Sequence, residues 1–152
     1  MGATHFTGPV VSGDLQAGQT YGPNQGLAVL TQFVALTQNG TNSVSGTLYI
    51  PAGAQIVDFN IDVLTVWNSG TSATLSIGTA AAGTQYVSGV DVKTAAGRIA
   101  PAYTAAQLAA MAGVSLVGAA SPTVPTVVVT VTPVGTAATT GYVEVTMIYI
   151  QQ

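Results

Sequence analysis

Charged side chains are scarce in this chain of 152 residues. It has two Lys or Arg residues and five Asp or Glu residues, so that charged residues make up 5% of the sequence and the formal net charge is −3. An ordinary soluble domain has charges at about 25% of its positions. Here Thr, Ser, Asn, Gln and Gly take the polar positions, which suits a protein whose surface is largely covered by other protein. Because few side chains can move a proton, we expect no enzymatic activity.

Several further absences exclude classes of site. The chain has no cysteine, which excludes disulfides and thiolate metal ligands. Two basic residues cannot neutralise several phosphates and form no polybasic patch, so we expect neither nucleic acid nor a membrane as a partner. No apolar run is long enough to span a bilayer. The stretch 1–5 lacks the basic start and apolar core of a signal peptide, so we expect no secretion by the usual route.

The remaining ionisable residues form no recognisable catalytic or metal-binding motif. His5 is the only histidine, and its surroundings offer nothing rigid to orient it in a catalytic triad. Asp58 and Asp62 superficially resemble the start of a calcium loop, but Val63 stands where that loop needs Gly. On a strand they would be roughly 13–14 Å apart, whereas paired glycosidase carboxylates are about 5–9.5 Å apart. We therefore expect no catalytic residue, metal or cofactor, and interpret Asp58 and Asp62 as solvent- or interface-facing strand residues.

The aromatic residues allow two interpretations. Those considered are Trp67, Tyr86, Tyr103, Tyr142 and Tyr149. They could form a platform for a sugar ring, or they could pack in the core and at interfaces. We expect the second.

Alternating apolar residues predict a protein built of strands and turns. The strand candidates are 27–36, 44–50, 57–67, 73–78, 86–92, 126–132 and 142–150. The clearest alternation places Val57 and the apolar residues after it on a core face, with Asp58, Asn60 and Asp62 on the outer face. The first candidate, and the end of the last, are apolar on both faces. Many short strands between Gly and Pro turns favour a sandwich or a barrel.

One helix and one arm complete the predicted organisation. Thr104 and Gln107 have the spacing of a capping box, and the stretch AAQLAAMA that begins at Ala105 consists of good helix formers. This pattern predicts a helix over 104–112. Residues 1–26 are rich in Gly, Pro, Thr and Gln and are predicted to be an extended arm, with a single domain over 27–152.

Three stretches and a valine-rich C-terminal hairpin form a recognisable pattern. The stretches are THFTGPVVSG (4–13), LYIPAGAQIVDFNIDVLTVWNSGTSATLSIGTAAAGTQYV (48–87) and YTAAQLAAM (103–111). With the hairpin they resemble small structural proteins of tailed bacteriophages, usually taken as capsid decoration or cement proteins. The resemblance implies a β-sandwich or jelly-roll-like body, often trimeric, on the outer capsid surface. It brings no catalytic residues.

We therefore expect an all-β structural virion protein that decorates and stabilises a phage capsid. Its expected partners are the major capsid protein and further copies of itself, as a homotrimer, after synthesis in the bacterial host cytoplasm. The arm residues expected to bind the capsid or a neighbouring protomer are Thr4, His5, Phe6, Pro9, Val10 and Val11. A head-fibre base or tail-associated module and, in a different class, a carbohydrate-binding β-sandwich module are the alternatives.

Overall fold

The computed structural model describes residues 28–51, 54–120 and 126–151, and within them the chain forms eight strands and one helix. The strands are β1 (Ala28–Thr37), β2 (Val44–Tyr49), β3 (Ala54–Thr65), β4 (Ser72–Gly78), β5 (Val87–Asp91), β6 (Gly97–Ile99), β7 (Thr126–Val134) and β8 (Tyr142–Gln151), and the helix is α1 (Ala105–Ala120). All seven predicted strands are present, with ends shifted by a few residues. The short strand β6 was not predicted. The arm and its six proposed binding residues lie outside the described residues.

The strands pair antiparallel in two four-stranded sheets. The first sheet has the order β1-β8-β3-β6 and the second the order β2-β7-β4-β5. The chain is thus arranged like one long hairpin, with β1 opposite β8, β2 opposite β7, β3 opposite β6 and β4 opposite β5. Rolling that hairpin up brings β8 beside β3 and β7 beside β4, which is the strand order of an eight-stranded jelly roll. The predicted all-β sandwich is confirmed.

The core lies between the sheets and follows from the alternation of apolar residues. Val127, Val129 and Val131 of β7 are completely buried, as are Phe59 and Ile61 of β3. They belong to one continuous cluster that draws side chains from both sheets. The period of two in each strand therefore specifies which face of each sheet turns inward.

The predicted core position of Val57 is wrong. The register between β3 and β8 shifts between Ile56 and Asp58, which marks a β-bulge. A bulge adds one residue to one strand and reverses the alternation on its far side. Ile56 is consequently buried, whereas the side chain of Val57 is 50% exposed on the outer face.

The helix begins where the capping box predicts. The backbone N–H of Thr104 donates to Gln107 Oε1 at 2.9 Å, and the N–H of Gln107 donates to Thr104 Oγ1 at 3.2 Å. These reciprocal bonds satisfy two donors that the first helical turn leaves free. The predicted end near residue 112 is too early, because α1 continues to Ala120. Gly113 does not interrupt it, and the surrounding alanines have a high helix propensity.

The two ends of the sandwich differ in how the strands are connected. At one end, here called the closed end, short turns join β1 to β2 and β7 to β8, and the link from β3 to β4 lies beside them. At the other, the open end, β1 and β3 begin and β8 ends, with Ala28, Ala54 and Gln151 side by side. There β2 also ends and β7 begins, since Tyr49 pairs with Thr126. The described residues Ala28, Ala54, Thr126 and Gln151, each next to a stretch outside the description, all lie at this open end.

Candidate functional site

The charged side chains of the described residues are few and mostly lie on one face. They are Asp58, Asp62, Asp91, Lys93, Arg98 and Glu144. Asp62 pairs across the first sheet with Arg98 on one side and Glu144 on the other, so all three share its outer face. Within the residues that the structure describes, no three His, Cys, Asp or Glu side chains are close enough to hold a metal ion.

Asp62 and Arg98 form an exposed ion pair. Arg98 donates from Nε to Asp62 Oδ1 at 2.8 Å and from Nη2 to Asp62 Oδ2 at 2.9 Å. These hydrogen bonds hold the pKa of the Asp62 carboxyl below its usual value. The Arg98 side chain is 67% exposed, so solvent screens the attraction and the pair contributes little to stability.

Asp58 connects the first sheet to the segment before the helix. The Tyr103 hydroxyl donates to Asp58 Oδ1 at 2.6 Å and accepts from the backbone N–H of Phe59 at 3.1 Å. Burial and the neighbouring Asp58 carboxylate raise the pKa of Tyr103, so the hydroxyl keeps its proton. Asp58 therefore has a structural partner, which the sequence-based interpretation of a merely solvent- or interface-facing residue missed.

The five aromatic residues are mostly core residues, as expected. The exposed fractions of Trp67, Tyr86 and Tyr149 are 1%, 4% and 6%. Tyr103 is half-buried against Asp58, and the Tyr142 hydroxyl donates to Glu144 at 2.8 Å. With three of the five rings inside the sandwich, this set forms no exposed platform for a sugar.

A shallow groove lies between the start of α1 and the connection from β4 to β5. Its lining residues are Thr84, Gln85, Ser88, Thr104, Ala106, Gln107 and Ala110. None of them is ionisable. The amide of Gln107 is already engaged, because Nε2 donates to the carbonyl of Thr84 at 3.3 Å while Oε1 accepts from Thr104. The groove therefore presents no ionisable side chain that could act as an acid or a base.

The most distinctive surface is apolar and lies on the outer face of the first sheet towards the open end. We call it the apolar strip, and it consists of Val29, Phe33, Val57, Ile148 and Ile150. Val29 and Phe33 of β1 are 66% and 68% exposed, and Ile148 and Ile150 of β8 are half-buried. Val29 pairs with Ile150 across the sheet, whereas Thr31 pairs with Ile148 and lies between Val29 and Phe33, so one threonine interrupts the strip on β1. A cluster of exposed apolar side chains of this kind is typical of an interaction site.

The strip borders the free edge of β1, which lacks the usual protection against pairing. Edge strands are normally short, charged, bulged or covered. β1 has ten residues in unbroken register with β8, without a charge or a proline, and in the described part of the chain no strand pairs with its other side. A long, uncharged edge of this kind is a template for a further strand.

The other three edge strands are each protected. β6 has only three residues and carries Arg98, and β5 has an irregular register with β4. On β2, the side chain of Gln32 occupies the backbone groups of the last residue, since its Nε2 donates to the carbonyl of Tyr49 at 2.7 Å and its Oε1 accepts from the Tyr49 N–H at 3.2 Å. β1 therefore differs from β2, β5 and β6 as the edge that remains open to pairing.

The structure neither brings together nor separates the predicted arm residues, which lie outside the described part. The sequence predicts β1 as a strand but not its position at an unprotected edge. The two-faced apolar pattern of 27–36 was recognised, but it does not reveal that the strand lies at an edge, because that depends on pairing with residues more than 100 positions away. No described helix is both long and apolar enough to cross a membrane. No known protein-family model matches the chain, and no curated protein matches it.

Proposed function

We propose that this chain is a structural virion protein that binds non-covalently to the outer surface of a phage capsid and stabilises it. In this proposal it is a homotrimer made in the bacterial host cytoplasm, and its partners are the major capsid protein and its own copies. The observation that carries the proposal is the apolar strip beside the unprotected edge of β1. A monomer that exposes both would be prone to association, so their presence favours a surface that is covered in the working assembly.

The scarcity of charge favours the same proposal. Burying apolar surface is favourable by about 25 cal/mol per Å². Ionic groups at an interface would offset that gain, because they must lose their water. The five members of the strip are all uncharged, and the one carboxylate paired with them, Asp58 opposite Ile148, already accepts a hydrogen bond from the Tyr103 hydroxyl. Trimerisation then raises the overall affinity for the capsid even if each subunit binds weakly. Once one subunit is bound, the other two are held near their sites at a high effective concentration.

The resemblance to phage decoration proteins supports the class, whereas the fold alone does not decide it. Jelly rolls serve in viral capsids and also in lectins, so the site must carry the argument. A head-fibre base or tail-associated module would use the same surface against another virion protein. Electron microscopy of the virion that encodes this chain distinguishes these locations.

The first test is co-sedimentation with undecorated capsids. We expect the wild-type protein to pellet with them and Phe33→Asp to bind at least about tenfold more weakly, a loss of about 1.4 kcal/mol. Thr47→Asp is the matched control, since Thr47 is exposed on the outer face of the second sheet. Absence of wild-type binding would refute the proposed function, and equal losses in both variants would refute the role of the strip.

The carbohydrate-binding alternative makes a different prediction. Among the described residues, the aromatic side chains that remain prominently exposed are Phe33 and Tyr49, at 68% and 58%. Phe33 belongs to the strip. The backbone of Tyr49 is hydrogen-bonded to the side chain of Gln32. A glycan array should therefore show no binding by the wild-type protein, and a specific sugar ligand lost with Tyr49→Ala would favour the alternative.

A further inference from the structure

The apolar strip and the edge of β1 require an occupant that the described residues do not supply. At the open end β1 runs past the last residue of β2, and Leu30 is 39% exposed although its register with Tyr149 places it on the inner face. Both faces of the strand are therefore partly uncovered there. An occupant must pair with a strand edge and also bring apolar side chains.

The chain preceding β1 has suitable length, position and chemistry. It comprises 27 residues and joins the described structure at Ala28, next to Val29 of the strip. Its segment 4–11 contains Phe6, Val10 and Val11 and no acidic or Lys/Arg residue. Pro9 lacks an N–H donor, which is tolerated in a strand that pairs along one side only.

Folding back through a tight turn within the same subunit would place the wrong residues on the edge. If the chain reversed in a tight two-residue turn before Ala28, the ten residues opposite β1 would be about 16–25. That stretch contains Gly18, Gly22 and Pro23, which weaken a strand. The apolar segment 4–11 would lie beyond Thr37, past the closed end, and would leave the strip uncovered.

A neighbouring subunit avoids this conflict. The intervening residues 12–27 could span at most roughly 55 Å when extended and about 20–24 Å on average as a flexible chain. A strand of ten residues is about 33 Å long, so the segment can reach an adjacent copy. We propose that residues 4–11 of a neighbouring copy pair with the free edge of β1 and cover the apolar strip. This inference rests on the proposed homo-oligomer.

Cysteine cross-linking tests the inference directly, because the chain has no cysteine of its own. Val10→Cys is combined with Val29→Cys, Thr31→Cys or Phe33→Cys in the full-length protein, which is then oxidised. We expect covalent dimers and trimers on a non-reducing denaturing gel from at least one pair, since a disulfide requires Cβ atoms about 3.5–4.5 Å apart. Val10→Cys with Thr47→Cys is the matched control and should give none.

Mixed assemblies show whether the contact forms between copies or within one copy. A Val10→Cys chain assembled with a Thr31→Cys, Val29→Cys or Phe33→Cys chain can form a mixed disulfide only between copies, and we expect that product. An intramolecular disulfide in the doubly substituted chain would overturn the inference. So would the absence of a cross-link at every one of the three positions Val29, Thr31 and Phe33. Cross-linking of Thr31→Cys to itself would show instead that β1 of a second copy occupies the edge, and would also overturn it.

Deleting residues 1–13 separates this inference from the proposed function. The truncated protein should still unfold in one cooperative transition, because the core cluster is built from residues 36–149, and should dissociate more readily into single subunits in light scattering. Unchanged oligomer state would overturn the inference even if the protein still bound capsids. Arm cross-linking without any capsid binding would leave the inference standing and refute the proposed function.

Discussion

At the closed end of the sandwich the turns use one another's polar groups, whereas at the open end apolar side chains stand in solvent. Asn68 shows the first pattern, since its Oδ1 accepts from the backbone N–H groups of Thr139 and Thr140 at 2.7 and 3.0 Å. Trp67 is buried beside it, and a Cβ added to Gly141 would come within 2.4 Å of the indole. Val29 and Phe33 show the second pattern, with about two thirds of each side chain exposed.

The difference indicates that the two ends serve different purposes. Most of the closed end is held together by contacts within one subunit, although Trp67 Nε1 is buried without a hydrogen-bond partner among the described residues and Leu64 and Val134 are 56% and 49% exposed there. The apolar strip contributes further stability only when something covers it, because the hydrophobic effect depends on apolar area removed from water, whereas Ala54 and Ile56 beside it are already buried. Changes at the closed end should therefore act on folding, and changes at the open end on assembly.

Replacing one aromatic residue at the closed end and one in the apolar strip should separate these effects most strongly. Trp67→Ala at the closed end should lower the free energy of unfolding by about 3–5 kcal/mol, because a fully buried ring leaves a cavity. Phe33→Ala, in the apolar strip near the middle of β1, should change it by no more than about 0.5 kcal/mol under conditions where the protein is monomeric. Urea denaturation followed by circular dichroism measures both. Equal losses of stability would contradict the division between the ends.

A smaller loss of stability is expected from replacing Asn68 at the closed end. Asn68→Ala removes the acceptor for two backbone N–H groups and should cost about 1 kcal/mol. Asn68→Asp keeps that acceptor and replaces the Nδ2 donor by an oxygen to which the Thr139 hydroxyl can donate instead, so it is the matched control. Thermal melting should rank both the wild type and Asn68→Asp above Asn68→Ala. A reversal of the two variants would show that the backbone contacts are not what stabilises this end.

Local patterns were sufficient to predict most of the elements. Alternation identified β7, where three valines are buried, and the Thr104–Gln107 capping box located the start of α1. Both depend on residues close together in the sequence. β6 was missed because three residues that include Gly97 and Arg98 carry no alternation.

Features that depend on distant residues could not be predicted. The bulge that turns Val57 outward is defined by its register with β8, and the bond between Asp58 and Tyr103 joins residues 45 positions apart. The candidate surface has the same limitation. The sequence shows that β1 is apolar on both faces, but its edge position and the Gln32 contact that protects β2 follow from the rolled topology.

The smallest expected effect concerns acid stability at the first sheet. Because Arg98 lowers the pKa of Asp62 in the folded protein below the usual 3.8, the pair stabilises the fold above about pH 4. That contribution is lost as the pH falls through the folded-state pKa. Melting temperatures between pH 6 and pH 2.5 should therefore fall slightly more for the wild type than for Asp62→Asn. A larger fall for Asp62→Asn would contradict the assigned role of the pair.

The central claim is that the open end, with β1 and the apolar strip, is an assembly surface. Light scattering of the full-length protein at micromolar concentration measures this most directly, with Phe33→Asp and the control Thr47→Asp alongside. We predict a discrete trimer for the wild type and for Thr47→Asp, and a folded species of lower mass for Phe33→Asp. A stable wild-type monomer, or a Phe33→Asp protein that remains trimeric, would contradict the claim.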